Sequence, residues 1–132
     1  MVTREDLSPS QQAVQSAHAA IDFCFNHPQR AGPWFKESNY LILLSVKNES
    51  ELLLLIEECR KKQLKYSRFI EPDLGNQVTA VAIEPSPKTK RLTRKLSLTL
   101  KNFNNEKGNQ NISENNGNES TSCELHTDIS IQ

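Results

Sequence analysis

Glycine is scarce in this chain, four residues in 132, which excludes the glycine-rich loops that cradle nucleotide phosphates. Histidine is scarcer still. His18, His27 and His126 fall on a helical pattern, a connector and a polar tail, so they form no metal-ligating group and call for no cofactor. The three cysteines, Cys24, Cys59 and Cys123, are odd in number and lack paired spacing, which excludes a disulfide framework. Cys24 and Cys59 lie inside apolar helical patterns and read as buried free thiols. No apolar run exceeds Leu52–Ile56, far too short to span a bilayer, and no signal peptide opens the chain. A cytoplasmic protein with no membrane partner is expected.

Apolar residues make up 36% of the chain, low for a protein folded from end to end. The composition changes near Lys101. Residues 1–101 hold fifteen of the sixteen Lys and Arg and eleven of the sixteen Asp and Glu, a net charge of +4, and residues 102–132 carry −4. That last stretch has eight asparagines and no apolar run, too little to offset the cost of ordering its backbone. The chain therefore divides into a mildly basic domain over 1–101 and an acidic, Asn-rich disordered tail over 102–132.

Along the domain, Ser8-Pro9-Ser10-Gln11 has the form of a helix start, with Ser8 as N-cap, Pro9 in the first turn and Gln11 bonding back. The helix runs to about Asn26. His27 to Pro33 reads as a connector by its Pro and Gly content, with Trp34 as a core anchor. Tyr40–Val46 is a near-continuous apolar run, the signature of a strand covered on both faces. Asn48 or Ser50 caps a second helix carrying Leu52, Leu53, Ile56 and Cys59 inward. Strands follow over Tyr66–Ile70 and Val78–Ile83, separated by a loop through Asp73 and Gly75, and a short basic helix is expected from about Lys88 to Leu98. Val2-Thr3-Arg4 looks like the end of a strand, as though its first part were clipped or lay upstream of Met1. The alternation predicts a three-layer α/β/α fold on a small mixed four-stranded sheet.

Two stripes run along the first helix. Val14, Ala17, Ile21, Cys24 and Phe25 recur at helical spacing and are expected to face the sheet. Gln11, Gln15, His18 and Asp22 form the second stripe, within about 60° of one another and beside the apolar face. Such a rim lets a side chain be held by the core and still reach substrate. The plain alternative for each candidate is structural: His18 as an ordinary rim histidine, Asp73 beside Gly75 as a turn former, Gln11 as the capping partner of Ser8.

Taken in order, Arg4-Glu5-Asp6-Leu7, Gln15-Ser16-Ala17-His18-Ala19-Ala20, Asp73-Leu74-Gly75 and Thr79-Ala80-Val81-Ala82-Ile83-Glu84-Pro85 resemble the landmarks of the type-2 peptidyl-tRNA hydrolases over residues 2 to about 101. The resemblance implies metal-independent hydrolysis of the ester between a peptide and tRNA, no cofactor, tRNA as partner, and in many members a homodimer. Two positions depart from the family pattern. Gln11 stands where a lysine is usual, and Gln77 where a threonine follows the Asp-x-Gly loop.

Ester hydrolysis needs a positioned water, a group to take its proton and donors for the developing oxyanion. Imidazole changes charge near neutrality, which suits His18 to the proton role, with Asp73 orienting it or sharing the water. Gln11 and Gln15 offer amide hydrogens, and Thr79 or the backbone amides near Gly75 are candidates to complete the oxyanion site. Asp22 lies on the same rim. For RNA phosphates the candidates are Lys88, Lys90, Arg91, Arg94 and Lys95, five cations in eight residues without an acid, and more weakly Lys61, Lys62, Lys65 and Arg68. Three functional readings stay open: a peptidyl-tRNA hydrolase, a non-catalytic member of the same fold that binds tRNA or another RNA, and a small α/β interaction domain whose His18 is structural.

Overall fold

A computed structural model describes residues 1–100 of the chain. The tail expected over 102–132, with Cys123 and His126, lies outside them. The elements in order are β1 (Val2–Arg4), α1 (Pro9–Asn26), α2 (Pro28–Glu37), β2 (Leu44–Val46), α3 (Glu49–Lys61), β3 (Tyr66–Glu71), β4 (Gln77–Ile83), α4 (Pro87–Thr93) and β5 (Ser97–Leu98). The sheet has the order β3-β4-β1-β2-β5 and is mixed: β1 and β2 run parallel, and the other pairs antiparallel. Three layers result. Val2, Val46, Leu52, Ile56 and Val81 form the core under α3, joined by Leu92 and Leu96 from the C-terminal segment. Ala19, Phe23, Ala31, Ala80 and Ala82 form the smaller core under α1 and α2.

The helix starts follow the sequence. Ser8 and Gln11 make a complete capping box with Pro9 in the first turn, and Asn48, rather than Ser50, caps α3 by accepting from the Glu51 amide at 3.1 Å.

Several expectations need correction. The sheet has five strands, not four, because α4 stops at Thr93 and Ser97–Leu98 returns to pair with the open edge of β2. The connector expected over His27 to Pro33 lies almost wholly in helix α2 (Pro28–Glu37), with Pro28 in its first turn, where the missing amide costs nothing. Trp34 is only half-buried, and its indole donates to the Tyr40 carbonyl at 3.0 Å. The apolar run Tyr40–Val46 is strand only from Leu44. Tyr40, Leu41 and Ile42 are exposed, and among the described residues β1 begins at Val2 and offers Tyr40–Leu43 no neighbouring strand. On α3 the inward residues are Leu52, Leu55, Ile56 and Cys59, with Leu53 outside.

The largest correction concerns α1. Its apolar stripe faces outward, with Val14 52%, Ile21 54% and Phe25 82% exposed and Cys24 exposed too. The buried residues are Gln12, Gln15, Ser16, Ala19 and Phe23. The reason lies in the sheet beneath, where Ala80, Ala82 and the Thr79 hydroxyl present a low, partly polar surface. Small side chains on α1 let helix and sheet approach closely, and Gln12 and Gln15 find hydrogen-bond partners there.

Candidate active site

The arrangement begins with direction. Helix α1 runs antiparallel to β3: Gln15 meets Glu71, His18 meets Phe69, and Asn26 meets Ser67. The first two pairs put the rim of α1 against the C-terminal end of β3, just before the turn that carries Asp73.

Gln15 is buried, and its amide is held at both ends. Nε2 donates to Glu71 Oε2 at 2.6 Å, and Oε1 accepts from Thr79 Oγ1 at 3.1 Å. A carboxylate only accepts, so Glu71 fixes which way the amide points. Thr79 reaches Gln15 through a β-bulge. Phe69 pairs with Ala80 and Ile70 with Val78, leaving Thr79 as the extra residue of β4. Strand alternation alone would turn position 79 away from Ala80 and α1, and the bulge re-aims it. Thr79 is fully buried, and its carbonyl accepts from Thr3 Oγ1 at 3.1 Å.

His18 stands one turn beyond Gln15 and is exposed. Its ring lies flat on Phe69, centroids 4.4 Å apart and planes 8° from parallel. The stack restrains the imidazole while leaving its edge to solvent. Asp22, a further turn along, is half-buried. Asp73 is exposed in a short 3₁₀ turn (Pro72–Leu74), and its amide donates to Glu71 Oε1 at 3.3 Å. Gly75 closes this turn at φ +67°, a left-handed conformation that favours glycine. Its amide donates to the Pro72 carbonyl and that of Asn76 to the Glu71 carbonyl, both at 3.1 Å, so these two amides are engaged within the turn itself.

A match to the family model described as peptidyl-tRNA hydrolase PTH2 covers residues 1–99, three quarters of the chain. The chain belongs to the PTH2 family. No curated protein matches it.

The landmarks of the PTH2 resemblance serve largely as structure. Arg4 is buried and grips Asp6 through two bonds of 2.9 and 2.8 Å, while its Nη1 reaches Gln77 Oε1 at 2.8 Å and the Val78 carbonyl at 3.3 Å. The guanidinium thereby holds the Asp6 carboxyl below its usual range. Gln77 serves this clamp. Glu5 accepts from Ser45 at 2.7 Å, and the Leu7 carbonyl accepts from Gln12 at 2.7 Å. The exit of β1 is thus locked to β2, β4 and α1 at the end of the sheet where His18 and Glu71 lie. Gln11 accepts from both the Ser8 amide and hydroxyl through Oε1 while its backbone amide donates to Ser8 Oγ at 3.3 Å, and its side-chain Nε2 takes no part in that box.

Sequence reasoning missed Glu71. Its carboxylate joins Gln15 of α1 to the Asp73 turn, and the one signal for it was an acid directly before Pro72-Asp73, at a strand end.

The basic candidates fall elsewhere. Lys88, Arg91, Arg94 and Lys95 line a groove with Lys61 and Lys62 at the end of α3, whereas Lys90 borders a separate apolar cavity. Lys65 and Arg68 are exposed outside that groove. The apolar cavity, about 380 Å³, opens between Phe23, Trp34, Leu41, Ile83 and Thr89, away from His18, Gln15, Glu71 and Asp73. Among the described residues no three His, Cys, Asp or Glu side chains converge to hold a metal, and no helix is long and apolar enough to cross a membrane.

Proposed function

We propose that this PTH2-family chain hydrolyses the ester between a peptide and tRNA in the cytoplasm, with His18 taking the proton from the attacking water. The observation that carries this reading is the pairing of an exposed imidazole, pinned on Phe69, with a carboxylate-bearing turn tied to the same helix through Gln15 and Glu71. Asp73, exposed on that turn, orients the water. Gln15 and Thr79 act as positioning residues, since both are buried and bonded to each other. The Gln11 amide nitrogen supplies a donor to the ribose or carbonyl, and Asp22 bounds the rim beyond His18. Independence from metal is what the family resemblance implies, and turnover is expected to persist in a chelator.

The test is peptide release from an N-acetyl-aminoacyl-tRNA. Wild type is expected to release the peptide, and His18→Ala to lower the rate by roughly 10²–10⁴, the usual worth of a general base. Asp73→Asn is expected to lower it as well. Unchanged rates in both variants would remove both residues from the mechanism. The second reading, a non-catalytic RNA binder, is favoured by Gln11, whose carbonyl is spent on the helix cap where the family usually has a lysine. RNA binding without any release by wild type would establish it.

A further inference from the structure

We infer that the groove between the C-terminal end of α3 and α4 is a second RNA site, which grips phosphates of an RNA segment other than the ester-bearing end. Lys61 and Lys62 form one wall, and Lys88, Arg91, Arg94 and Lys95 the other. Two segments separated by some 25 positions in the chain thus converge their cations on one hollow. Among the described residues the one acid in the lining, Glu58, is already paired with Lys61 at 2.9 Å and Lys62 at 3.5 Å, so these residues keep a strong positive excess. Lys88 and Arg91 stand one turn apart on α4, with Arg94 and Lys95 directly after it, so cations recur along the wall every 4–6 Å or so. Two of the four are arginines, whose planar forks fit phosphate oxygens.

The location separates this groove from the hydrolytic site. His18 belongs to α1, which packs on the Ala80–Ala82 side of the sheet, whereas Leu92 of α4 packs with α3 against the Val2–Val81 core on the other side. The two sites also lie at opposite ends of β3: α3 ends just before Tyr66, and the Asp73 turn follows Glu71. Six strand residues span about 17 Å, and the sheet with a helix layer on each face adds a comparable distance across. The last few nucleotides of an RNA whose terminal ester sits at His18 do not reach around the molecule to the groove. An acidic protein surface is the less fitting occupant, because stable protein contacts centre on apolar anchors and the described residues of the groove lining offer only Leu92.

RNA as the partner class is shared with the hydrolase reading, but the test needs no ester. The probe is a blunt 16-base-pair RNA duplex, titrated against the full chain. Contacts from about four cations are expected to weaken binding about 100-fold between 50 and 200 mM salt. Arg91→Glu with Lys95→Glu is expected to weaken it at least 10-fold and to flatten the salt dependence. Both side chains are exposed, and the milder pair Arg91→Gln with Lys95→Gln is expected to move binding the same way by less. Release from a short N-acetyl-aminoacyl trinucleotide is expected to stay within twofold of wild type, since that substrate does not reach the groove. A charge-reversed variant that binds the duplex as wild type does would overturn the inference. So would preferential binding of a polyglutamate peptide, which would assign the groove to an acidic polypeptide. Failure of the hydrolase reading would show instead as no ester release by wild type, with duplex binding intact.

Discussion

Gln15 donates to Glu71 across 2.6 Å, joining a buried helix position to the end of β3. Because Glu71 also accepts from the Asp73 amide, this bond ties the helix of His18 to the turn of Asp73. Removing the carboxylate leaves the Gln15 amide nitrogen without that partner. Glu71→Ala is therefore expected to lower the unfolding free energy by about 1–3 kcal/mol, and Glu71→Gln, which keeps an acceptor oxygen, by less than half of that. Urea unfolding of the two variants measures the difference, and equal losses would show that the bond contributes nothing specific.

The stack of His18 on Phe69 separates shape from chemistry. Phenylalanine at position 18 keeps a flat ring and removes the proton acceptor. His18→Phe is expected to stay within about 0.5 kcal/mol of wild type in stability, as an exposed site should. Peptide release is expected to fall at least roughly 100-fold. Parallel unfolding and turnover measurements check this, and retained turnover would exclude His18 as the base.

The outward face of α1 gives a contrast within one helix turn. Phe23 is buried in the core with Ala80 and Ala82, and Phe23→Ala is expected to cost about 3–5 kcal/mol. Ile21 is 54% exposed, and Ile21→Gln is expected to change stability by no more than about 0.5 kcal/mol. Thermal melts of the pair rank the two faces directly.

Acid stability reports on Arg4. Its hydrogen bonds hold the Asp6 carboxyl below the ordinary 3.8, so below that pH the unfolded chain binds the proton more readily than the folded one. The contribution is full above about 3.8 and is lost as pH falls through the lowered folded value. Arg4→Gln is expected to flatten this acid limb of the stability curve while also lowering stability at neutral pH, because it breaks the bonds to Gln77 and Val78. Urea midpoints measured between pH 2 and 7 would reveal the limb, and an unchanged slope would contradict the assignment to Asp6.

Thiol labelling separates the two described cysteines. Cys59 is fully buried, and burial pushes its thiol up to about 11. Cys24, expected to be buried with the apolar stripe, is exposed. Iodoacetamide at pH 8 is expected to modify Cys24 and spare Cys59 until denaturant is added, with peptide mass mapping as the readout.

Local signals carried much of the fold. A capping box, a Pro in a first turn and an Asx cap are decided by residues three or four apart, so α1 and α3 begin where the sequence places them. An apolar run marked β4, a strand was expected over Tyr66–Ile70 where β3 forms, and the alternation of elements marked the three layers. The candidate site residues were legible as types and spacings on single elements, with Gln15 and His18 on one helix rim and Asp73 beside a glycine turn.

The tertiary structure decided which of these meet. The direction of α1 depends on a sheet surface of Ala80, Ala82 and Thr79, and a hydrophobic pattern reports only which side is apolar, not which side the sheet can receive. The bulge at Thr79 is a matter of register between two strands, and neither strand encodes it alone. Glu71 gained its place because antiparallel packing of α1 on β3 set it against Gln15 across 56 positions of chain. The basic cluster was correctly seen as a charge excess, but which way its helix faced separated Lys90 from Arg91 and set the groove across the sheet from His18. Short-range hydrogen bonding and periodicity are written in neighbouring residues. Facing, register and convergence arise from contacts between distant ones, and these exist only once the chain has packed.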